Sequence, residues 1–180
     1  ARWIVSQLEI SPDDAVVEVG PGAGSLTTHL VGQVRKLILI EFDARLAAAC
    51  AVRELGFEPM PHLSARRIGS HAALERFLER AAGEAGVARC LLIAGDLATP
   101  IGPFADSASI IETGLLERHG IKVAAIGGHP EGHPVMSSDE RWQALQHKCQ
   151  RIEARGMAPL IVTQFGVDAG TVLTWLDALR

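Results

Sequence analysis

Apolar and polar positions form two kinds of pattern along this chain: short apolar runs, which are typical of strands, and longer stretches with helical periodicity. Within residues 70–85, Phe77, Leu78 and Ala81 follow Leu74 by three, four and seven positions, the spacing of one helix face. Residues 36–41 form a nearly continuous apolar run, which is typical of a strand buried on both faces. The first pattern predicts strands over 15–19, 36–41, 59–63, 90–94, 123–126 and 160–163. The second predicts helices over 26–31, 44–55, 70–85, 107–119, 137–155 and 171–179.

Six strand–helix units in this order predict an α/β fold with an all-parallel sheet in a single domain over residues 1–180. The sheet is expected to be either Rossmann-like and open or part of a (βα)8 TIM barrel, which needs eight units and about 250 residues when complete. In both architectures ligands bind at the carboxyl ends of the strands. A bare strand at the edge of the sheet would favour a covering helix or a homo-oligomer.

Composition narrows the range of functions. The 180 residues are 48% hydrophobic and 21% charged, which is a globular balance, and they carry a formal net charge of -4. That charge argues against a nucleic-acid partner. No apolar run is long enough to span a membrane, and we expect a cytoplasmic protein. Cys50, Cys90 and Cys149 are far apart, with no spacing typical of a disulfide framework or a metal site.

A glycine-rich loop follows the first predicted strand and opens the first predicted helix. Gly20, Gly22 and Gly24 would let the backbone turn tightly and approach a ligand closely at the helix N-terminus. Glu41 ends the second strand 17 residues after Gly24, where a carboxylate can accept hydrogen bonds from ribose hydroxyls. The pattern indicates a nucleoside site, and the alternative is a tight turn with a surface glutamate.

This segment resembles motif I of the S-adenosylmethionine-dependent methyltransferases, and above all that of the rRNA adenine dimethyltransferases. The resemblance is carried by the sequence Glu-Val-Gly-Pro-Gly-Ala-Gly-Ser-Leu-Thr, followed by Ile-Glu-Phe-Asp. The resemblance covers residues 1–46 and implies that Glu18, Gly20, Gly22 and Glu41 contact S-adenosylmethionine. That family holds the target amine with an Asn-Leu-Pro-Tyr type of motif after its fourth strand. Here the residues at 94–98 are Ala-Gly-Asp-Leu-Ala, and the sequence contains no tyrosine.

Residues 47–180 resemble a second family, the methylenetetrahydrofolate reductases. The motifs that carry this resemblance are Pro61-His62-Leu63, Ala94-Gly95-Asp96, Phe104-Ala105-Asp106, His129-Pro130-Glu131-Gly132-His133-Pro134, Lys148 and Thr163-Gln164-Phe165. The family implies an FAD-dependent oxidoreductase of the TIM-barrel class, with a folate substrate and a nicotinamide nucleotide as hydride donor. It also implies FAD contacts at His62, Gly95, Asp96, Ala105, His129, His133 and Lys148, and substrate contacts at Asp96 and Gln164.

Each of these side chains also has an ordinary structural explanation. A lone histidine such as His62 is often a core or rim residue, Asp96 could cap a helix, and Lys148 could be a solvated helix residue. His129 and His133 could share a metal ion, but no third ligand stands at a suitable spacing, and no metal is expected.

The two resemblances together predict a recombined or chimeric chain. Its expected function is that of a flavin- and folate-binding domain with impaired turnover, because the strand that carries the reductases' catalytic glutamate is replaced and the last two barrel strands are absent. No catalytic residue is assigned. Two alternatives stay open: an engineered or recombined scaffold without activity, and an S-adenosylmethionine-binding methyltransferase-like protein. If the strands are as predicted, Gly22, His62, Asp96, His129 and Gln164 share one rim of the sheet.

Overall fold

The computed structural model describes residues 11–13, 15–19, 27–30, 33–40, 42–164 and 166–179. The chain divides into two compact units, residues 1–51 and 52–180. The single domain expected from the sequence stays a prediction. Within the described residues, no helix is both long and apolar enough to cross a membrane.

The N-terminal unit is built on two parallel strands. Strand β1 (Ala15–Val19) pairs with strand β2 (Lys36–Ile40), and the register runs from Ala15 opposite Lys36 to Val19 opposite Ile40. Helix α1 (Thr27–Leu30) lies between the strands in the sequence, and helix α2 (Phe42–Glu54) follows β2. The glycine loop and Glu41, which carry the nucleoside prediction, lie outside the described residues.

The C-terminal unit holds a four-stranded parallel sheet. Its strands are β3 (His62–Ser64), β4 (Arg89–Ile93), β5 (Val123–Gly128) and β6 (Ala158–Thr163), and each pairs with the next in sequence. The predicted α/β class with an open parallel sheet is confirmed. Because each strand pairs with the next one in the sequence, this strand order contains no reversal of the kind that marks a doubly wound sheet.

Local sequence signals set the ends of the two longest helices of this unit. In helix α3 (His71–Ala85) the Ser70 hydroxyl accepts a hydrogen bond from the amide of Ala73, and Gly86 ends the helix at a φ of 58°. Helix α6 (Ser138–Ala154) begins with a capping box, in which Ser137 and Glu140 satisfy each other's backbone amides. These signals explain why the predicted and observed ends agree closely.

The helix predicted over 107–119 is wrong as a single element. It is divided into α4 (Ser107–Ile111) and α5 (Leu115–Arg118) at Gly114, whose φ is 70°. Thr113 stabilises the break, because its hydroxyl donates to the carbonyl of Ile110 and accepts from the amide of Leu115. A residue in the left-handed region cannot continue an α-helix, so the chain turns there.

The core of the C-terminal unit lies around β4 and β5, and it thins towards β6. Leu92 and Ile126 are almost fully buried in these two strands. In contrast, β6 alternates between exposed and half-buried residues, and helix α7 (Ala169–Ala178) contains no buried residue. The polypeptide can therefore place Pro159 inside β6, because among the described strands β6 pairs only with β5 and an edge strand tolerates a missing amide.

Two glycines of this unit provide a matched test of its packing. At Gly102 an added Cβ would lie 2.5 Å from the carbonyl oxygen of Gly69 and closer still to that of Ile68, so Gly102→Ala forces backbone to move. At Gly83, inside α3, nothing lies within 4 Å of an added Cβ. We expect Gly102→Ala to lower the free energy of unfolding by about 1–3 kcal/mol, and Gly83→Ala to raise it by about 0.5–1 kcal/mol.

Urea unfolding followed by circular dichroism measures both effects. If the two substitutions shifted the unfolding midpoint in the same direction, the close approach of residue 102 to the segment 68–69 would be wrong.

Candidate functional site

Four of the predicted site residues follow directly or closely after strands of the four-stranded sheet. Gly95 and Asp96 come after β4, His129 after β5 and Gln164 after β6. The amide of Gln164 donates to the carbonyl of Gly128 at 3.0 Å, which continues the β5–β6 ladder to this edge. Because the strands are parallel, Asp96, His129 and Gln164 lie on one rim, as predicted.

The other two residues of that prediction have different outcomes. Gly22 lies outside the described residues. His62 was expected to end a strand over 59–63, but it begins β3 instead and stands level with Leu91 in the middle of β4. Its placement on the rim was therefore wrong, because pairing with β4 starts three residues later than the apolar pattern indicated.

Asp96 is engaged by a neighbouring arginine. Its carboxylate oxygen Oδ1 accepts from Nη2 of Arg67 at 2.8 Å and from Nε at 3.2 Å. These hydrogen bonds hold the pKa of Asp96 below its usual value. Gly95 has a φ of 92°, and an added Cβ there would lie 3.3 Å from the Cβ of Ser64. The end of β4 is therefore fixed by an ion pair and a close backbone approach.

His129 is half-buried and has an unusual set of neighbours. Burial lowers the pKa of His129, and a hydrogen bond with the side chain of Gln164 works in the opposite direction. Its ring stands edge-on to that of His133, with 4.9 Å between centroids. Its Nδ1 atom is buried and has no hydrogen-bond partner among the described residues. Burial thus favours the neutral imidazole, and its Nδ1 atom is an unsatisfied polar atom within the described residues.

The other predicted contact residues of the C-terminal unit, Lys148, Ala105 and His133, interact with neighbouring groups of the protein. Lys148 lies on α6, where burial lowers its pKa and the negative charge of Asp106 opposes that change. The carbonyl of Ala105 accepts from Nε of Arg66 at 2.8 Å. Nδ1 of His133 accepts from the amide of Val135 at 3.3 Å. In the part of the chain that the structure describes, no three His, Cys, Asp or Glu side chains are grouped closely enough to hold a metal ion.

A cleft that the sequence did not predict lies beside His129, between α6 and α7. Its centre is the stacked pair Trp142 and Trp175, whose ring centroids are 5.5 Å apart with planes inclined by 25°. A cavity of about 90 Å³ and an open groove of about 510 Å³ share this pair, and we name the two together the Trp cleft. Gly128 makes room for it, because an added Cβ there would come within 2.7 Å of the Trp175 ring. The only sequence signal was the unusual Gly127-Gly128 ending of β5.

One carboxylate connects the loops on the two sides of the Trp cleft. Oε1 of Glu131, in the loop after β5, accepts from the amides of Val167 and Asp168 at 2.6 Å each. Both amides precede helix α7. Arg141 adds a second connection, because its Nη1 donates to the carbonyl of His129 at 2.6 Å. The loop after β5, which borders the cleft, is therefore hydrogen-bonded both to α6 and to the segment before α7.

In the N-terminal unit, Glu18 occupies the fourth position of β1 and stands opposite Leu39. Gly20, Gly22 and Glu41 lie outside the described residues. The paired residues Val19 and Ile40 are the last of their strands, and Gly20 and Glu41 are the next residues in the sequence. The register of β1 and β2 thus matches the order of elements that a nucleoside site needs.

Comparison with known proteins finds a match in this N-terminal part. Residues 1–55 match the family model of the ribosomal RNA adenine dimethylases. The dimethyladenosine transferase of Eremothecium gossypii is 46% identical over 56 residues, which are 31% of this chain and 18% of that protein. The ribosomal RNA small subunit methyltransferase A of Thermobifida fusca is 56% identical over 48 residues, 27% of this chain and 17% of that protein. The chain thus spans less than a fifth of the length of these relatives.

These matches correct several predictions. The FAD-dependent, methylenetetrahydrofolate reductase-like oxidoreductase is wrong, because the family and relatives found are methyltransferases, which imply S-adenosylmethionine as cofactor. FAD, the folate substrate and the nicotinamide nucleotide are withdrawn, and so are the roles toward them given to His62, Gly95, Asp96, Ala105, His129, His133, Lys148 and Gln164. The chimera hypothesis loses its support with them.

The expectation of no nucleic-acid partner is also contradicted, because the family model and the Thermobifida fusca relative are named for ribosomal RNA. Net charge misled here, since it is a property of the whole chain and says little about one binding segment. By sequence, then, the N-terminal third of this protein, residues 1–55, is similar to the ribosomal RNA adenine dimethylases.

Proposed function

We propose that this chain binds S-adenosylmethionine through its N-terminal unit. The observation that carries the proposal is the in-register parallel pairing of β1 and β2, whose last residues, Val19 and Ile40, immediately precede the glycine loop and Glu41. A nucleoside cofactor bound at the carboxyl ends of two adjacent parallel strands needs both features at one edge. The match of residues 1–55 to the ribosomal RNA adenine dimethylases supports the same cofactor.

Each proposed contact has a physical role. Gly20 and Gly22 allow the backbone to approach the ligand without a side chain in between. The carboxylate of Glu41 accepts hydrogen bonds from the two ribose hydroxyls, and such bonds to a charged acceptor are stronger than neutral ones. Glu18, near the end of β1, is the fourth proposed contact.

The matching family model and the Thermobifida fusca relative are named for ribosomal RNA, the Eremothecium gossypii relative is named for dimethyladenosine, and we propose RNA adenine as the substrate class that this cofactor serves. Methyl transfer also requires groups that hold the target amine. The residues after β4 are Ala94-Gly95-Asp96-Leu97-Ala98, and Asp96 is already paired with Arg67. We therefore propose that these 180 residues bind the cofactor without methylating RNA by themselves. Cytoplasmic location remains a prediction.

The cofactor proposal predicts that Glu41→Ala weakens binding of S-adenosylmethionine by at least about tenfold, or 1.4 kcal/mol, because the ribose loses a charged acceptor. Isothermal titration calorimetry with the full chain measures the dissociation constant. Glu79→Ala, which removes an exposed carboxylate from α3, is the matched control and should leave the affinity unchanged. Equal affinities for the Glu41 and Glu79 variants would contradict the proposal.

The second part predicts no transfer of methyl groups to RNA. The full chain is incubated with small-subunit ribosomal RNA and radiolabelled S-adenosylmethionine, and the incorporated label should not exceed that of Glu41→Ala. Label that depends on Glu41 would show that the chain is an active methyltransferase and that another group holds the amine.

A further inference from the structure

Strand β6 and helix α7 are only partly covered by the rest of the C-terminal unit. Helix α7 contains no buried residue, although most of its side chains are apolar. Leu173 and Leu176 lie one helical turn apart and are 63% and 42% exposed, and Leu160 of β6 is 38% exposed. Parallel sheets of α/β proteins normally have both faces covered. The exposed leucines therefore indicate a surface that a partner can cover.

The two exposed leucines of α7 lie on the side of the helix that faces away from α6. At about 100° per residue, they are roughly opposite to Thr171 and Thr174, which line the groove towards α6. The cavity between α6 and α7 is bordered by Gly128 of β5, so α6 lies on the β5 side of α7. The leucines consequently face the other side, towards the edge of the sheet at β6.

This edge of β6 has unused backbone groups. The amides of Ala158 and Gln164 donate to the β5 segment. Because backbone groups alternate in direction along a strand, the amides of Ile161 and Thr163 point away from β5, together with the carbonyls of the same residues. Among the described strands β6 pairs only with β5, so these groups have no strand partner there. Pro159, which has no amide hydrogen, also falls on the unused side.

We name the edge of β6 (residues 159–163) and the exposed side of α7 (Leu173 and Leu176) together the β6–α7 surface. The two charged residues of segment 157–179 are Asp168 and Asp177. Asp168 caps α7, and Asp177 also interacts within the protein. A strongly charged partner would find no counter-charge here, whereas two copies of this surface can meet without strong like-charge repulsion.

We propose that a second copy of this chain covers the β6–α7 surface, with the two β6 strands paired antiparallel across a two-fold axis. Such an axis places the unused donors of one copy opposite unused acceptors of the other, and it needs no donor from Pro159. The leucines of α7 lie beside the paired strands and become covered by the other copy. The homo-oligomer expected at a bare sheet edge is thereby given a location.

The size of the surface sets the expected strength of the association. A six-residue strand is about 20 Å long, and a helix beside a strand edge is about 15 Å wide. Each copy therefore buries roughly 300 Å², which is less than half of the about 800 Å² per partner in a standard stable interface. We expect a reversible dimer with a dissociation constant in the micromolar range or weaker.

Sedimentation velocity of the full chain over a range of concentrations tests the proposal. We expect a monomer–dimer equilibrium that shifts to the dimer as the concentration rises. Leu173→Glu should raise the dissociation constant at least about tenfold, because it places a carboxylate against the uncharged surface of the other copy. Ile101→Glu is the matched control, since Ile101 lies in the loop after β4 and is exposed to nearly the same degree, 64%. It should leave the dissociation constant unchanged.

Thr163→Pro tests the strand pairing itself. It removes an amide that points to the free edge and leaves the hydrogen bonds between β5 and β6 in place. Thr163→Ala is the control, because it removes the same exposed side chain but keeps the amide. We expect the proline variant to weaken dimerisation at least about tenfold, since each copy loses a hydrogen bond to the other. The alanine variant should dimerise nearly as well as the unmodified chain.

Hydrogen exchange measured by NMR on the unmodified chain needs no variant, and it decides the question even if Thr163→Pro does not fold. The amides of Ile161 and Thr163 should exchange more slowly in concentrated than in dilute protein, whereas that of Ala158, which is bonded within the chain, should not change.

Three outcomes would overturn the proposal. They are a monomer at every concentration, a folded Leu173→Glu or Thr163→Pro variant that dimerises as strongly as the unmodified chain, and exchange at residues 161 and 163 that does not depend on concentration. Binding of S-adenosylmethionine by the N-terminal unit succeeds or fails independently of these results.

Discussion

The parallel pairing of strands is the constraint on which the rest of this structure depends. In a parallel ladder every strand ends at the same edge, so residues far apart in the sequence become neighbours. In the C-terminal unit this brings Asp96, His129 and Gln164 to one rim. In the N-terminal unit it aligns Val19 with Ile40, the two residues from which the glycine loop and Glu41 follow. The nucleoside site proposed for the N-terminal unit is a consequence of that geometric rule.

Charged side chains near the rim of the sheet form hydrogen bonds within the protein. Asp96 is bound by Arg67, Glu131 by the amides that precede α7, and Arg141 by backbone carbonyls. In the sequence alone such residues look available to bind a ligand, because composition does not reveal their partners within the protein. By contrast, the buried Nδ1 of His129 has no hydrogen-bond partner among the described residues.

The two sequence resemblances rest on motifs of different kinds, and only the resemblance of the N-terminal segment is supported by the comparisons. The glycine loop with Glu41 is a compact motif in which spacing, turn chemistry and an acidic strand end support one another, and the match over residues 1–55 agrees with it. The motifs over 47–180 were short and scattered at strand ends. Strand ends of parallel sheets generally carry polar residues, so such motifs are weaker evidence of a particular chemistry.

The sequence by itself determined the α/β class, the parallel strands, most helix ends and the resemblance of the N-terminal segment to the ribosomal RNA adenine dimethylases. These depend on local signals: apolar periodicity, capping residues such as Ser70 and Ser137, and the glycine loop. Tertiary structure alone decided that His62 begins its strand, that Arg67 occupies Asp96, and that Trp142 meets Trp175 over Gly128. Those outcomes depend on strand register and on contacts between segments 29 to 47 residues apart, and no local pattern encodes such distances.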